Sequence, residues 1–281
     1  MSLLYYWRSD NYFRDLDFGL GYHLNHSNPI LHNIEIGDSL WAFTRLKNKM
    51  YVLACEMVIK SKTFNSPKFR YGKYRVWGDL EKSRYFDVNE NISIEQVIRT
   101  FDINAKAKVL GQSFQGLASV KQINFLENQI LTKLSQKLRR EPRAKILPEE
   151  QLEAEIILGN SELVQELVKS EGYGISEKRR EYLYKNAPKR NASLAKELNR
   201  IYKGQCQICG WQSLEIYGVS LCEAHHIQWL SRGGEDELEN MISICPNHHT
   251  AIHKLDAPLD YKDYSFDFGR FKEKIIINSH L

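Results

Sequence analysis

The N-terminal part of the chain contains short apolar runs of β-branched and aromatic residues, separated by Gly, Asn, Ser and Pro. These runs are Leu3–Trp7, Ser39–Phe43, Tyr51–Ile59 and Tyr74–Trp77. Short apolar runs bounded by turn residues are typical of β-strands, and the Gly37-Asp38 pair before the second run indicates a turn. We therefore expect a small, strongly bent sheet or barrel, followed by a helix around Ile94–Arg99.

Further along the chain the hydrophobic pattern becomes helical. Apolar residues Ile130, Leu131, Leu134 and Leu138 recur at three- and four-residue spacing, which is the spacing of one helix face. Helical runs are predicted from about 93 to 131 and from about 148 to 170. Prolines at 142 and 148 punctuate a charged stretch that is typical of a linker. We predict an α+β protein with an N-terminal domain at 1–138, a helical basic linker at 139–203 and a C-terminal domain at 204–281.

The length and composition of the chain agree with this division. A chain of 281 residues has room for two domains. It contains no apolar run of about 18 residues and no basic-then-apolar N-terminus, so we expect no membrane span and no signal peptide. Five cysteines fit the reducing cytoplasm better than a disulfide-stapled secreted scaffold.

Positive charge is concentrated between residues 176 and 204, although the net charge of the whole chain is only +4. Clustered lysines and arginines suggest contacts with nucleic-acid phosphates, which give affinity without sequence choice. The alternative is a solvated helical face. The candidates for phosphate contact are Lys178, Arg179, Arg180, Lys189, Arg190 and Arg200.

The segment from Cys206 to His253 holds four cysteines and five histidines. Cys206 and Cys209 have the spacing of a zinc knuckle, and Cys245 and His248 repeat that spacing with an imidazole in place of one thiolate. Four protein ligands complete a tetrahedron, so this set predicts a structural Zn²⁺ site. The alternative is scattered buried cysteines.

Three further histidines form a second candidate ligand set. His249 and His253 are four residues apart, so on a helix they lie on one face, one turn from each other. His225 can reach the same ion from the end of a preceding strand. Three protein ligands leave positions open for water or a phosphate oxygen, which is the arrangement that a hydrolase needs.

Two more residues in this segment have predicted roles in catalysis. His226 follows His225 directly, so in an extended strand its side chain points to the opposite side. A neutral imidazole there can remove a proton from attacking water, and we assign His226 as the general base. The amide of Asn240 can bond across the loop and hold the strand that carries His226; the alternative is an ordinary turn residue.

These residues resemble the signature of the HNH nuclease family, the ββα-metal fold. The resemblance rests on Glu223-Ala224-His225-His226-Ile227, the Gly233-Gly234-Glu235-Asp236 turn, Asn240 and Cys245-Pro246-Asn247-His248-His249, with a lead-in from Leu194 to Gly210. It implies hydrolysis of a phosphodiester with Mg²⁺, Mn²⁺ or another divalent ion. The resemblance also implies that His225, His249 and His253 bind this ion, that His226 is the base and that Asn240 orients the loop.

A second resemblance concerns the N-terminal part. The segments Tyr6-Trp7-Arg8-Ser9, Gly37-Asp38-Ser39-Leu40-Trp41 and Phe114-Gln115-Gly116 resemble an EVE domain of the PUA superfamily, which implies a PUA-like β-barrel. Such domains hold a modified base in an aromatic cage after the base has rotated out of its helix. Together the two resemblances imply an EVE-HNH enzyme, a modification-dependent restriction endonuclease that cuts DNA carrying 5-methylcytosine or 5-hydroxymethylcytosine.

A pocket for a flipped base needs aromatic faces for stacking and polar groups for the base edge. Trp7, Trp41 and Trp77 can supply the faces, while Arg8, Ser9 and Asn11 can supply the polar contacts. Each aromatic residue is alternatively part of the core, and Trp41 lies in an apolar run that indicates burial. The polar cluster is alternatively a simple helix cap.

We therefore predict a modification-dependent DNA endonuclease whose partner is double-stranded DNA with modified cytosine. A homodimer would allow both strands to be cut. The alternatives are an HNH restriction or homing-type endonuclease that reads unmodified sequence, and a non-catalytic, zinc-containing protein that binds nucleic acid. His226 argues against the last, because a purely structural zinc module has no use for a base.

Overall fold

The structure is a computed structural model that describes residues 1–18, 23–67, 69, 71–79, 81–141, 162–163, 192–230, 235–277 and 280–281. The chain divides into two compact units. The described residues up to 141 belong to the N-terminal unit, and those from 192 onward belong to the C-terminal unit. None of the described helices is long and apolar enough to cross a membrane.

The N-terminal unit is built on a seven-stranded sheet with the order β2-β5-β4-β3-β1-β7, in which β6 also pairs with β4. The strands are β1 (Ser2–Tyr6), β2 (His23–His26), β3 (Ser39–Arg45), β4 (Tyr51–Phe64), β5 (Tyr74–Gly78), β6 (Arg84–Tyr85) and β7 (Val120–Ile123). The helices are α1 (Ser9–Phe18), α2 (Ile30–Asn33), α3 (Glu95–Arg99) and α4 (Phe125–Ser135). Short 3₁₀ turns occupy Val88–Glu90, Leu110–Ser113 and Gly116–Ser119.

The long strand β4 gives this sheet its curl. Its first half pairs with β3 and its second half pairs with β5, and the register shifts between Ile59 and Ser61. Such an irregularity bends a strand and increases its twist. The strongly bent sheet is therefore confirmed, as a curled half-barrel. The described strands do not close into a barrel, since β2 and β7 remain at opposite edges, and membership of the EVE and PUA group stays a prediction.

Both faces of the sheet are covered, which explains why its strands are continuous apolar runs instead of alternating ones. On one face Leu4 and Phe43 pack with Ile98 of α3 and Leu131 of α4. On the other face residues Leu3, Leu40, Met57 and Val76 pack with Leu31 of α2.

The predicted helix around 94–99 is confirmed as α3, but the longer helical run from 93 to 131 is wrong. Between α3 and α4 the chain forms two 3₁₀ turns and strand β7. Gly116 has a φ of 55°, a left-handed conformation that interrupts helical geometry. The periodic residues from 130 onward do lie in and just after α4, which begins with a capping box between Asn124 and Glu127.

The C-terminal unit contains the predicted ββα arrangement. Its elements are α5 (Ala192–Tyr202), α6 (Ser213–Tyr217), β8 (Glu223–His226), β9 (Met241–Ile244), α7 (Pro246–Leu255), β10 (Leu259–Asp260), β11 (Ser265–Asp267) and β12 (Lys272–Lys274). Strands β8 and β9 form an antiparallel pair, and β10, β11 and β12 form a small second sheet. Residues Ile242 and Ile244 of β9 pack with Ile252 of α7 and Phe266 of β11 in one core.

Most of the predicted linker, from 142 to 191, lies outside the described residues apart from 162 and 163. The last part of it forms helix α5. Residues 139–141 follow the N-terminal unit closely, because the N–H of Asp87 bonds to the carbonyl of Arg139 and the N–H of Glu141 bonds to that of Tyr85, each at 2.9 Å. The domain limits therefore stay predictions.

Candidate metal centres and active site

Strand β8 and helix α7 bring three histidines together. His225 is the third residue of β8, and His249 and His253 are one turn apart on α7. Their metal-binding nitrogens all lie within 4.8 Å of one another. The centroid of the His225 ring is 5.2 Å from that of His249 and 4.9 Å from that of His253. The predicted ligands of the catalytic ion therefore form one cluster.

His225 shows that this cluster suits a metal ion. It is 2% exposed, and neither of its ring nitrogens has a hydrogen-bond partner among the described residues. Leaving a buried polar group unsatisfied is costly. Burial, followed by the neighbouring His253 and His249, holds the pKa of His225 well below its ordinary value, so the ring is neutral and its lone pair can bind a cation. The donor set of three imidazoles therefore fits a divalent ion.

Two flanking side chains hold the helical ligands. The ring of Trp229 packs against His253, with centroids 4.4 Å apart. A carboxylate oxygen of Glu223 lies 3.5 Å from Nδ1 of His249. Groups of this kind orient metal ligands and keep a ring nitrogen directed at the ion.

His226 lies beside the cluster and makes a different contact. Successive residues of a strand point to opposite sides, and Nε2 of His226 is 2.9 Å from Oδ1 of Asp236. Both side chains are buried, at 2% and 7% exposure. Nε2 of His226 therefore contacts a carboxylate and not one of the three clustered histidines.

Asn240 closes the loop between β8 and β9. Its Oδ1 accepts from the N–H of Gln228 at 2.8 Å, and its Nδ2 donates to the carbonyl of Gln228 at 2.9 Å and to that of Glu235 at 2.8 Å. Its own backbone carbonyl accepts from the N–H of Ile227. The buried side chain of Asn240 therefore bonds to Gln228 in one described stretch of this loop and to Glu235 in the other.

The second cluster contains Cys206, Cys209, Cys245 and His248, whose ligand atoms also lie within 4.8 Å of one another. The Sγ atoms of Cys209 and Cys245 are 4.0 Å apart, and Nδ1 of His248 is 3.2 Å from the Sγ of Cys245 and 3.7 Å from that of Cys206. Zinc–sulfur bonds of about 2.3 Å in a tetrahedron require similar separations. The residues therefore fit one tetrahedral metal ion.

Local backbone chemistry explains how this cluster forms. The knuckle turns at Gly210, whose φ of 74° is unfavourable for other residues, and the N–H of Gly210 bonds to the carbonyl of Cys206. Gln207 then ties the knuckle to β9, because its backbone N–H bonds to Ser243 and its side chain accepts from the N–H of Ser243. Cys245 begins α7 as its N-cap, with Pro246 at the first helical position.

Glu273 on β12 supports the cluster from outside. Its carboxylate is 3.2 Å from Nε2 of His248, whose Nδ1 faces the thiols. A carboxylate on the second nitrogen of a ligating histidine is typical of zinc sites.

The pKa of the Cys209 thiol is raised to about 11, and burial is the largest cause. In the metal-free protein this thiol therefore stays protonated near neutral pH, and a metal must displace its proton.

The N-terminal unit contains a cavity of about 600 Å³. Its lining residues are Tyr5, Trp7, Asn11, Arg14, His23, Leu24, Asn25, Leu40, Ala42, Cys55, Met57, Phe69 and Tyr71. The lining thus combines aromatic rings, amides and apolar side chains with Arg14 and His23. This volume and mixture are typical of sites for small ligands or single groups of a larger one.

Only two of the six predicted base-pocket residues, Trp7 and Asn11, line this cavity. Trp41 is fully buried in the core and donates from Nε1 to Asn128 at 2.7 Å. Trp77 donates from Nε1 to Thr63 at 2.9 Å and packs against Arg75.

The two polar residues Arg8 and Ser9 also lie elsewhere. Arg8 is exposed and pairs with Asp10 at 2.8 Å, and Ser9 donates to the carbonyl of Arg45. These contacts give Arg8 and Ser9 structural partners at the start of α1.

Of the six residues predicted to contact phosphates, the structure describes Arg200 alone. Arg200 is exposed on α5 and forms a two-point ion pair with Glu197, with distances of 2.9 and 2.6 Å. The other five, Lys178, Arg179, Arg180, Lys189 and Arg190, lie outside the described residues.

Sequence reasoning assigned no role to several residues near these sites, although Asp236 stands in the turn that carries the HNH resemblance. Asp236 and Glu273 contact His226 and His248 from a loop and from a separate sheet, and neither has a spacing that connects it with its partner. Tyr5 lines the cavity together with Trp7. Strand alternation was a usable signal here, because residues two apart share one face.

Comparison with known proteins identifies the same segment of the chain as the two candidate metal clusters do. A family model described as HNH endonuclease matches residues 206–255. The chain is 29% identical to anaredoxin of Nostoc sp. (strain PCC 7120 / SAG 25.82 / UTEX 2576) over 73 residues. These residues make up 26% of this chain and 88% of anaredoxin. The chain is also 39% identical to the Type IV methyl-directed restriction enzyme EcoKMcrA of Escherichia coli (strain K12) over 54 residues. This match covers 18% of this chain and 19% of EcoKMcrA.

A solved structure, that of the Type IV phosphorothioation-dependent restriction endonuclease ScoMcrA, aligns with 89% of this chain and 50% of its own at 11% identity. The TM-score of 0.21 is too low for any statement about a shared fold. The family match and the His225, His249 and His253 cluster coincide in one segment. The C-terminal unit of this chain therefore carries an HNH endonuclease domain, the catalytic module of a nuclease.

Proposed function

We propose that this protein is a restriction-type DNA endonuclease that cuts double-stranded DNA carrying modified cytosine, and that the N-terminal cavity holds the modified base. The observation that carries the nuclease part is the buried cluster of His225, His249 and His253 beside His226, within the segment that matches the HNH endonuclease family. Restriction as the biological role is supported by the likeness to EcoKMcrA.

In this proposal the three clustered histidines hold a divalent ion. When bound, such an ion stabilises negative charge on the scissile phosphate and on the leaving oxygen. Three ligands from the described residues converge there, so such an ion would keep coordination positions for that phosphate.

His226 provides the base. Its buried imidazole accepts a proton from the attacking water, and the hydrogen bond from Nε2 to Asp236 keeps the ring in place. Asn240 does not touch the reacting atoms in this account. It holds the loop that follows β8 through its bonds to Gln228 and Glu235, so that His226 stays in position.

The Cys206, Cys209, Cys245 and His248 cluster holds a Zn²⁺ ion with a structural role. Its four ligands leave no position for substrate. The cluster joins the knuckle to the start of α7, which carries His249 and His253. Zinc would therefore position the helix that holds the catalytic ligands.

The cavity of the N-terminal unit supports the reader part of the proposal. A flipped base needs a ring to stack on and polar groups along its edge, and the cavity offers Trp7, Tyr5 and Tyr71 together with Asn11 and Asn25. The similarity to EcoKMcrA, a methyl-directed restriction enzyme, is a second reason to propose a modified base.

Asn25 has a defined orientation at this cavity. Its Oδ1 accepts from Nδ2 of Asn65 at 2.9 Å and from Nε of Arg75 at 2.5 Å. With its oxygen engaged twice, the amide nitrogen is the atom left to bond a ligand. We infer that Asn25 donates to an acceptor on the base edge, such as the carbonyl oxygen or the ring nitrogen of cytosine.

The nuclease part is tested by incubating supercoiled DNA with the wild-type chain and with the His226→Ala variant, in the presence of Mn²⁺ or Mg²⁺. The wild-type protein should nick or linearise the plasmid when modified cytosine is present, and the variant should lose about 10²- to 10⁴-fold in rate. Equal cleavage by both proteins would show that the activity belongs to another site or to a contaminant.

The reader part is tested by binding, with cleavage disabled by His226→Ala. Tyr71→Ala removes a cavity residue, while Tyr217→Ala is a matched control, since both tyrosines are 61% exposed and Tyr217 lies on α6 of the other unit. Fluorescence anisotropy should show weaker binding of 5-methylcytosine duplexes for Tyr71→Ala alone. Asn25→Asp, which keeps the oxygen but removes the donor, should have the same effect. Unchanged affinity in both cavity variants would exclude the cavity as the reader.

The alternative is an HNH endonuclease that reads unmodified sequence, and the same duplexes distinguish it. A homodimer, which would let two single-strand cuts produce a double-strand break, and a cytoplasmic location also remain predictions.

A further inference from the structure

Asp236 occupies a defined place next to the proposed base. Its Oδ1 is 2.9 Å from Nε2 of His226, and the two side chains are almost fully buried. The neighbouring residue Glu235 is tied by its carbonyl to Nδ2 of Asn240. The aspartate therefore approaches His226 from a loop whose backbone is held in place, and the contact does not depend on two mobile surface side chains.

The chemistry of this contact decides which nitrogen of His226 carries the proton. An ionised carboxylate can only accept hydrogen bonds, so Nε2 must donate. In a neutral imidazole the other nitrogen, Nδ1, then has the lone pair. A base needs its lone pair on the nitrogen that meets the attacking water, and a ring in the wrong tautomer cannot accept that proton.

We propose that Asp236 is a positioning residue that holds His226 in the Nε2-protonated tautomer and thereby makes Nδ1 the proton acceptor in DNA cleavage. This inference rests on the proposed function of the HNH site. It adds a residue that the family likeness did not point to as functional and that lies outside both clusters of metal-binding side chains. Asp236 acts through His226 and not through the ion.

Asp236 is distinguished from its neighbour Glu235 by burial. Glu235 carries a side chain that is exposed, while the Asp236 side chain is 7% exposed. Glu235→Gln is therefore a matched control, since it removes a carboxylate one residue away without touching His226. Asp236→Asn keeps an oxygen that can accept from Nε2, whereas Asp236→Ala removes the acceptor.

The first test needs neither DNA nor an ion. Long-range ¹H–¹⁵N spectra of ¹⁵N-histidine-labelled protein at mildly alkaline pH report the tautomer of each ring, and the His226 signals are those missing in His226→Gln. Wild-type and Glu235→Gln proteins should show His226 protonated at Nε2, and Asp236→Ala should show a mixture. A wild-type ring protonated at Nδ1, or an unchanged ring in Asp236→Ala, would overturn the inference even if the protein proves to be a nuclease.

The second test is a double-mutant cycle on the cleavage rate. Asp236→Ala should lower the single-turnover rate by about 10- to 100-fold, the usual effect of losing a group that orients a functional histidine. Asp236→Asn should recover part of the rate, and the apparent Kd for DNA and for Mn²⁺ should stay unchanged.

In the His226→Ala background the same change should have no further effect, because the residue it positions is gone. Losses that add in the double variant, or a parallel loss of Mn²⁺ binding, would show that Asp236 acts through folding or through the ion and would overturn the proposal. A wild-type protein that cuts no DNA would instead contradict the proposed function and leave the tautomer result to be judged separately.

Discussion

The side chain of Asn240 forms two hydrogen bonds with the backbone of Gln228, accepting from its N–H at 2.8 Å and donating to its carbonyl at 2.9 Å. This pair of bonds reproduces the pattern of a short strand pairing inside the loop between β8 and β9. Asn240 is 8% exposed, so water cannot readily replace it. This position therefore requires a side chain that can both donate and accept a hydrogen bond, as the amide of Asn240 does.

Asn240→Asp should therefore lower both stability and activity, although it replaces only the side-chain NH₂ group by an oxygen. The carboxylate cannot donate to the carbonyls of Gln228 and Glu235. We expect a loss of about 1–3 kcal/mol in the free energy of unfolding, measured by urea denaturation, and slower single-turnover cleavage. Asn247→Asp, at an exposed position on α7, should change neither. Equal effects in the two variants would refute the loop-closing role.

The three-histidine cluster predicts a preference among metal ions. Imidazole nitrogens suit transition metals, whereas Mg²⁺ prefers oxygen ligands and strict octahedral geometry. Mn²⁺, Co²⁺ or Ni²⁺ should bind more tightly than Mg²⁺, with stoichiometry and affinity measured by isothermal titration calorimetry. His249→Ala should weaken this binding by at least about tenfold. Tight Mg²⁺ binding that survives His249→Ala would place the ion elsewhere.

The Cys206, Cys209, Cys245 and His248 cluster predicts one tightly held zinc ion per chain. Cys209→Ser should release it, as measured by metal analysis of the purified protein, and should lower the melting temperature, because the energy of metal binding is folding energy in such modules. Cys222→Ser is a suitable control, since Cys222 is half-buried but outside the cluster. Zinc loss in the Cys222 variant alone, or full retention in the Cys209 variant, would contradict the ligand set.

The stability of the N-terminal unit should depend on pH through His26. Burial lowers the pKa of His26 below its ordinary 6.5, and its ring nitrogens contact the N–H of Asn28 at 2.9 Å and Oγ of Ser119 at 2.7 Å. Because the folded pKa is depressed, this stabilisation is present above the unfolded pKa and is lost as pH falls through the folded pKa.

His26→Asn retains an acceptor for Asn28 but cannot titrate, so it isolates this contribution. Unfolding free energies of the two full-length proteins should differ most near neutral pH, and the difference should shrink over the range in which the pH falls below 6.5, the ordinary pKa of histidine. A difference that stays constant over this range would show that His26 does not titrate on unfolding in the way that the structure implies.

Local spacing is the reason that both candidate metal-binding clusters could be predicted from the sequence. Cys206 and Cys209 share one knuckle, and His249 and His253 share one helix face, so each pair is close because of local geometry alone. Asp236 and Glu273 could not be predicted in the same way. They reach His226 and His248 through tertiary contacts, and an acidic residue in a loop carries no periodic signal.

The cavity shows the same limit in the N-terminal unit. Its lining comes from β1, α1, β2, β3, β4 and residues 69 and 71, which are far apart in the sequence. The apolar run that contains Trp41 predicts the position of this residue in the core, under α4, whereas Trp7 lines the cavity.

The most direct test of the account is single-turnover cleavage of matched duplexes that carry cytosine, 5-methylcytosine or 5-hydroxymethylcytosine, by the full-length protein with Mn²⁺. We expect cleavage of the modified duplexes and little or none of the unmodified one, with all cleavage lost in His226→Ala. Equal cleavage of all three duplexes would contradict the proposed reader while leaving the HNH site standing, and cleavage that persists in His226→Ala would contradict the site itself.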